Sequence, residues 1–202
     1  MIITRIEEYK KDRYKIFLDG EFAFVLYKGE LKSYNIKQDS VLDDKDYTEI
    51  VEVVLPKRAK LRAMNLLKSH MYTEKMLRDK LKESGHTDDN IDIAIEYVKS
   101  YKYLDDEEYT RQYLMSRIMT KSKKVLKGYL SNKGISSEVF ENVYSEFCEE
   151  DDAMIEQEPL VKALNKKLKG RQVDMIDNVE KEKLIRHLLG KGFPYNLINK
   201  YL

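Results

Sequence analysis

Leu77-Arg78-Asp79-Lys80-Leu81-Lys82-Glu83-Ser84-Gly85-His86-Thr87 is the stretch on which the fold turns, because its frame recurs twice more. Leu126, Leu130, Gly134, Ile135 and Ser136 repeat it, and so do Leu184, Leu188, Gly192, Phe193 and Pro194. A leucine pair four residues apart marks one buried helical face. A glycine just past such a face ends the helix in a left-handed conformation that costs glycine nothing. Thr87, Ser136 and Pro194 then open the next helix. Ile91, Phe140 and Ile198 lie six residues after each glycine, where each packs back on the residue before its cap, His86, Ile135 or Phe193. Three copies of one capping pattern predict a copied helical unit, stacked in tandem.

Working outward, each unit reads as three helices. The first unit is expected over 58–69, 73–84 and 88–101. The second is expected over 106–120, 123–133 and 137–147, and the third over 159–169, about 180–191, and 195–202. Asp105 and Glu108 form a capping-box pattern at the head of the second unit. The glycines stand 49 and then 58 residues apart, and the extra nine residues fall in a longer loop over 170–178. Asp177 and Glu180 both suit the cap that follows it.

Before position 57 the pattern changes. Segments 13–18 and 21–27 are rich in Tyr, Ile, Phe and Val and flank Asp19-Gly20, a two-residue hairpin signal. Segment 2–9 supplies a third strand. A helix follows over 43–55, and Pro56 is expected to end or kink it. The expected architecture is mainly α: three tandem three-helix repeats in an elongated array, preceded by a small antiparallel three-stranded module. The boundaries are 1–55, 56–104, 105–150 and 151–202.

Composition narrows the function. The 202 residues are 42% hydrophobic and 36% charged, yet the net charge is only +1. Bulk basicity therefore carries no nucleic-acid reading. The charge is patched instead. Residues 57–82 hold nine Lys and Arg against two acids, residues 111–135 hold seven and no acid, and residues 138–158 hold nine acids and no base. Such patches are what a partner's field senses. Cys148 is the single cysteine, so no internal disulfide framework exists. No apolar run reaches the roughly 18 residues of a membrane span, and the N-terminus lacks a signal-peptide core. A cytoplasmic protein is expected.

Chemistry-bearing constellations are scarce. His70, His86 and His187 form no metal-ligand pair, and His86 takes a slot that is Ile135 and Phe193 in the sister copies. The acid runs at 43–46, 105–108 and 149–152 read as caps and solvated charge, not as a two-metal site. No phosphate-cradling loop occurs. No catalytic residue, cofactor or metal is expected. Fifteen tyrosines remain, and Tyr101, Tyr103, Tyr109, Tyr113 and Tyr129 interleave with basic residues as in single-strand binders. Helix-packing amphipaths are the plainer reading for most of them.

Ala59 and Ala63 with Leu66-Leu67, Thr73 ahead of Leu77/Leu81/Gly85, Tyr103-Leu104-Asp105-Asp106, Arg117, and Leu126/Leu130/Lys133-Gly134-Ile135 together resemble the RecX regulatory family. The resemblance covers about residues 57–202, and the N-terminal module is similar to that of Gram-positive-type members. A glycine usual near Lys121-Ser122-Lys123 in that family is absent here. The resemblance implies a non-enzymatic modulator of the RecA recombinase, and a monomer is expected. Such a protein lodges in the groove of the RecA–DNA filament and inhibits its ATPase, strand-exchange and coprotease activities, touching DNA directly or through the filament. The basic residues expected at that contact are Arg58, Arg62, Arg78, Lys82, Arg111, Arg117, Lys121, Lys123, Lys124 and Lys127. Two alternatives are a nucleic-acid-binding helical module acting without RecA and a helical adaptor for another protein.

Overall fold

Asp19 and Gly20 both adopt positive φ, 49° and 94°, the geometry of a tight hairpin turn matched to strand twist. In a computed structural model, which describes residues 1–148 and 155–202, this turn joins β2 (Arg13–Leu18) to β3 (Glu21–Tyr27), and β1 (Ile3–Lys10) pairs with β2. The sheet is antiparallel, in the order β1-β2-β3. Its apolar face carries Ile3, Ile16, Leu18, Phe24 and Leu26, which share a core with Ile36, Leu42, Ile50 and Leu55. A short helix α1 (Lys28–Ser33) that the sequence pattern did not announce follows β3.

Pro56 does not end the next helix. Helix α2 (Asp44–Glu49), capped by Asp43, passes through a π-helical turn at Ile50–Val54 into α3 (Leu55–Leu67). The Leu55 amide donates to the Ile50 carbonyl, five residues back. Proline has no amide to donate, and widening the turn just ahead of it lets the helix continue. Helices α4 (Glu74–Glu83) and α5 (Asp88–Ser100) complete the first repeat around Ala59, Ala63, Leu77, Leu81, Ile91 and Ile95.

The second repeat has α6 (Asp106–Arg117), α7 (Lys123–Asn132) and the start of α8 (Ser137–Leu168). Here the structure corrects the sequence. The helices expected at 137–147 and 159–169 belong to one 32-residue element, with Pro159 inside it. Its early part packs Phe140, Val143 and Tyr144 on Leu126 and Leu130, while its late part packs Leu160, Leu164 and Leu168 on Leu184 and Leu188. One rod thus serves two cores, and that burial offsets the roughly 3 kcal/mol of a helical proline. The acid run at 149–152 lies outside the described residues. A 3₁₀ turn (Val173–Met175) then leads to α9 (Asn178–Gly190), whose cap is Asp177: its carboxylate accepts the Glu180 amide at 2.7 Å. The last helix, α10 (Tyr195–Ile198), is shorter than the expected 195–202.

The three repeat turns match in detail. Gly85, Gly134 and Gly192 have φ of 89°, 94° and 83°. In each, the amide after the glycine reaches back to the leucine carbonyl: His86 to Leu81, Ile135 to Leu130, Phe193 to Leu188. Leu81, Leu130 and Leu188 are all fully buried. Two caps differ from the expected form. The Thr87 hydroxyl accepts from Asn90 Nδ2 rather than from a backbone amide. Asp105 caps the Glu108 amide, but the Glu108 carboxylate takes Arg111 and Gln112. The chain divides into two compact units, Met1–Leu104 and Asp105–Leu202.

Candidate functional site

The ten basic residues singled out by sequence separate into three groups. Arg58 and Arg62 hold the first unit together. Arg58 donates to Glu30 Oε2 at 2.8 Å and to the Val25 carbonyl at 2.5 Å, and its guanidinium lies over the Tyr27 ring. Burial, the largest influence, lowers its pKa. Arg62 Nε donates to Ser84 Oγ at 3.2 Å. Sequence reasoning missed the rest of this clamp. Arg13 donates to the Ser84 carbonyl at 3.1 Å, while Lys10 and Tyr9 donate to the Glu83 carbonyl. The sheet thereby satisfies carbonyls left open at the C-terminus of α4, where a cation is also favoured by the helix dipole. The turn fits closely: a Cβ on Gly85 would stand 3.2 Å from both Tyr9 Cε1 and Val25 Cγ2. A long-range contact of this kind leaves no periodic trace in sequence.

His86 sits in that clamp. Its Nδ1 is buried and has no hydrogen-bond partner among the described residues. Burial first, then the nearby Arg58, Arg13 and Arg62 charges, depress its pKa to about 4.

A second group is paired across helices. Arg78 bridges Glu74 and Asp92 at 2.7 and 2.5 Å, and Arg111 bridges Glu108 and Glu146 at 2.8 and 3.0 Å. Lys123 and Lys127 both contact Glu141, at 2.9 and 2.7 Å, instead of projecting freely into solvent. Hydrogen bonds from these two lysines hold the Glu141 carboxyl below its usual range. Lys82 meets Asp88 at 3.2 Å, but both are well exposed and the pair is worth little.

Arg117, Lys121 and Lys124 form the third group. All three are exposed, on or between α6 and α7, and none makes an ion pair with any described residue. Tyr113, one turn before Arg117 on α6, stacks on Tyr129 with ring centroids 4.5 Å apart and planes 5° from parallel. Burial and the neighbouring Tyr129 raise the Tyr113 pKa, so the phenol stays neutral at ordinary pH. The turn carrying Lys121 is itself fixed inside the second unit. Ser122 Oγ accepts the Val125 amide and donates to the Lys191 carbonyl at 2.6 Å. A Cβ on Gly192 would lie 2.9 Å from Ser122 Oγ and 3.0 Å from Lys124 Cβ. The glycine usual at this turn in the family is thus not needed for a close approach; the glycine of the third repeat supplies the room.

Among the described residues no group of three or more His, Cys, Asp or Glu side chains could hold a metal ion. No described helix is long and apolar enough to cross a membrane. What the geometry offers is a scaffold of three-helix repeats on which Arg117, Lys121 and Lys124 stand exposed, a repeat architecture of the kind that presents surface rather than an enclosed site.

Comparison with known proteins resolves the class. The RecX N-terminal domain matches residues 1–43, the first RecX three-helix domain residues 59–97, and the third residues 155–202. "Regulatory protein RecX" of Clostridium perfringens (strain 13 / Type A) is 32% identical over 202 residues, covering 98% of this chain and 92% of the relative. That of Bacillus licheniformis is 31% identical over 204 residues, covering 99% and 76%. A crystal structure of regulatory protein RecX superposes with a TM-score of 0.66 at 24% identity, covering 98% of this chain and 97% of the other. RecX from Lactobacillus salivarius gives 0.61 at 24% identity, covering 72% and 93%. The chain belongs to the RecX family of regulatory proteins.

Proposed function

We propose that this protein binds a RecA–DNA filament in its helical groove and inhibits the filament's ATPase, strand-exchange and coprotease activities, acting as a monomer, by contact and without catalysis of its own. Kinship with regulatory proteins over 98% of the chain is the observation that carries this reading. The cationic groups favour it in a narrower form than sequence alone. Arg58 and Arg62 are engaged within the first unit, whereas Arg117, Lys121 and Lys124 remain presented to a partner on the second. An acidic protein groove or DNA phosphate would meet all three without breaking an internal pair. The test is single-strand-dependent ATP hydrolysis by RecA with this protein titrated in below one copy per RecA. The expected result is progressive inhibition. Unchanged hydrolysis at one copy per RecA would overturn the proposal.

A further inference from the structure

None of the ten cations marked in the sequence lies in the third repeat, yet two cavities open there along the line where α8 meets α9. The first, of about 120 Å³, is floored by the buried Leu168, Ile176 and Leu184 and rimmed by Lys167 and Lys183. The second, of about 90 Å³, is floored by Ala163 and the buried Phe193 and rimmed by Lys121 and Lys191. A cavity of about 150 Å³ holds a benzene, so each of these has room for one aliphatic side chain. From the second cavity to the first, α8 runs forward, Ala163 to Leu168, while α9 runs backward, Lys191 to Leu184. The two helices are therefore antiparallel here, and the cavities share one groove, about 10 Å apart at 1.5 Å per residue.

Charge along the groove is one-sided. Glu180, the acid in its wall, accepts from Arg171 through both carboxylate oxygens, at 3.2 and 3.1 Å. Lys167, Lys183 and Lys191 are exposed and make no ion pair with a described residue. His187 lies in the field of two of them: burial first, and then Lys167 and Lys191, lower its pKa. A ligand that fits must therefore bring apolar groups for the floors and negative charge for the rim. Nucleic acid brings only the second. A base needs an exposed ring to stack on, and the one ring in either lining, Phe193, is 5% exposed.

We infer that the α8–α9 groove of the third repeat docks an acidic segment of a partner protein, two of whose aliphatic side chains enter the cavities while its carboxylates meet Lys167, Lys183 and Lys191. The inference stands on the groove alone and does not rest on the function proposed above.

The experiment needs no recombinase. Fluorescence anisotropy with the full chain compares a labelled peptide in which leucines recur among glutamates with one of equal length and charge carrying serine for leucine, and with an oligothymidylate of equal charge. Wild type is expected to bind the leucine peptide on the order of tenfold more tightly than either. Ala163→Leu, which fills one cavity, should remove most of that preference and leave the serine peptide unaffected. Joint reversal of Lys167, Lys183 and Lys191 to Glu should weaken both peptides at least about tenfold, and the same reversal of Lys11, Lys28 and Lys37, exposed on the first unit, should not. No saturable binding, equal binding of the two peptides, or tighter binding of the oligothymidylate overturns the inference, and so does full affinity in the α8–α9 reversal. Should Ala163→Leu fail to fold, the wild-type comparison and the two reversals still decide. Absence of leucine preference alongside inhibition of RecA removes the groove and leaves the proposed function standing. Leucine preference without any effect on RecA does the reverse.

Discussion

The basic stretches of the two units look alike in sequence, yet key cations within them are bonded differently. In the first unit Arg58 and Arg62, with Arg13 and Lys10 from the sheet, are turned inward on carbonyls, a carboxylate and a hydroxyl. In the second, Arg117, Lys121 and Lys124 face solvent without an acid partner among the described residues. The difference follows from what each repeat turn must pack against. The turn at Gly85 is covered by a sheet whose cations fill its open carbonyls. The turn at Gly192 is covered by Ser122, whose single hydroxyl donates to the Lys191 carbonyl and needs no cation for it. Charge density along a chain therefore does not identify a binding face; the long-range partners of each charge do.

Several changes would break or sharpen this contrast. The largest effects should fall on what the repeats share. Leu81→Ala and Leu130→Ala should each cost about 2–5 kcal/mol, because each removes a fully buried side chain from the same slot. Guanidinium unfolding midpoints check this, and a small loss at either site would break the equivalence. Gly192→Ala should cost about 2–4 kcal/mol, since it combines a positive φ with a Cβ pressed on Ser122 and Lys124. Gly85→Ala should cost less, because the Tyr9 ring edge and the Val25 methyl can yield by a few tenths of an ångström. Arg58→Met should lower stability by about 1–3 kcal/mol, a buried-pair loss discounted for the contact with water that Arg58 and Glu30 keep. Lys124→Met should change it by less than about 0.5 kcal/mol. Equal effects of the two would mean that the units do not differ in how they use cations.

A separate effect is a pH dependence confined to the first unit's clamp. His86 is held near pKa 4 when folded, against 6.5 when free. Between those values the unfolded chain binds a proton that the folded chain refuses. Stability is therefore complete above pH 6.5, declines as pH falls toward 4, and levels off below. Unfolding midpoints between pH 7 and 5 should slope downward in wild type and flatten in His86→Ile, the residue the second repeat uses at this slot. An unchanged slope in the variant would place the titrating group elsewhere.

Much of the fold was legible because it is written in local chemistry. Asp19-Gly20 and the three glycine turns each announce a backbone conformation within a few residues, and the leucine spacing announces the buried face. What escaped was non-local. Pro159 reads as a helix start, and only the burial of Leu160 and Leu164 in a second core shows why α8 passes through it. The π-helical turn before Pro56 is likewise a compromise between a missing amide and a packed face. At the candidate site, the sequence marked a basic cluster but not which of its members are neutralised. Lys127 pairs with a carboxylate 14 residues away and Arg111 with one 35 residues away. The Tyr113–Tyr129 stack spans two helices and was only one of several tyrosine–basic juxtapositions.

The most direct test combines charge reversal with the recombinase. Arg117, Lys121 and Lys124 are changed together to Glu, and inhibition of RecA's single-strand-dependent ATP hydrolysis is compared with that of Arg58→Met at a temperature where both variants are folded. The expected result is that the triple variant melts close to wild type yet needs at least about tenfold more protein for the same inhibition, a deficit that narrows as salt rises, while Arg58→Met melts lower and inhibits normally. Full inhibition by the triple variant at low salt, or its loss in folded Arg58→Met, would contradict the assignment of the second unit's exposed cations to the partner and the first unit's internally bonded ones to the fold.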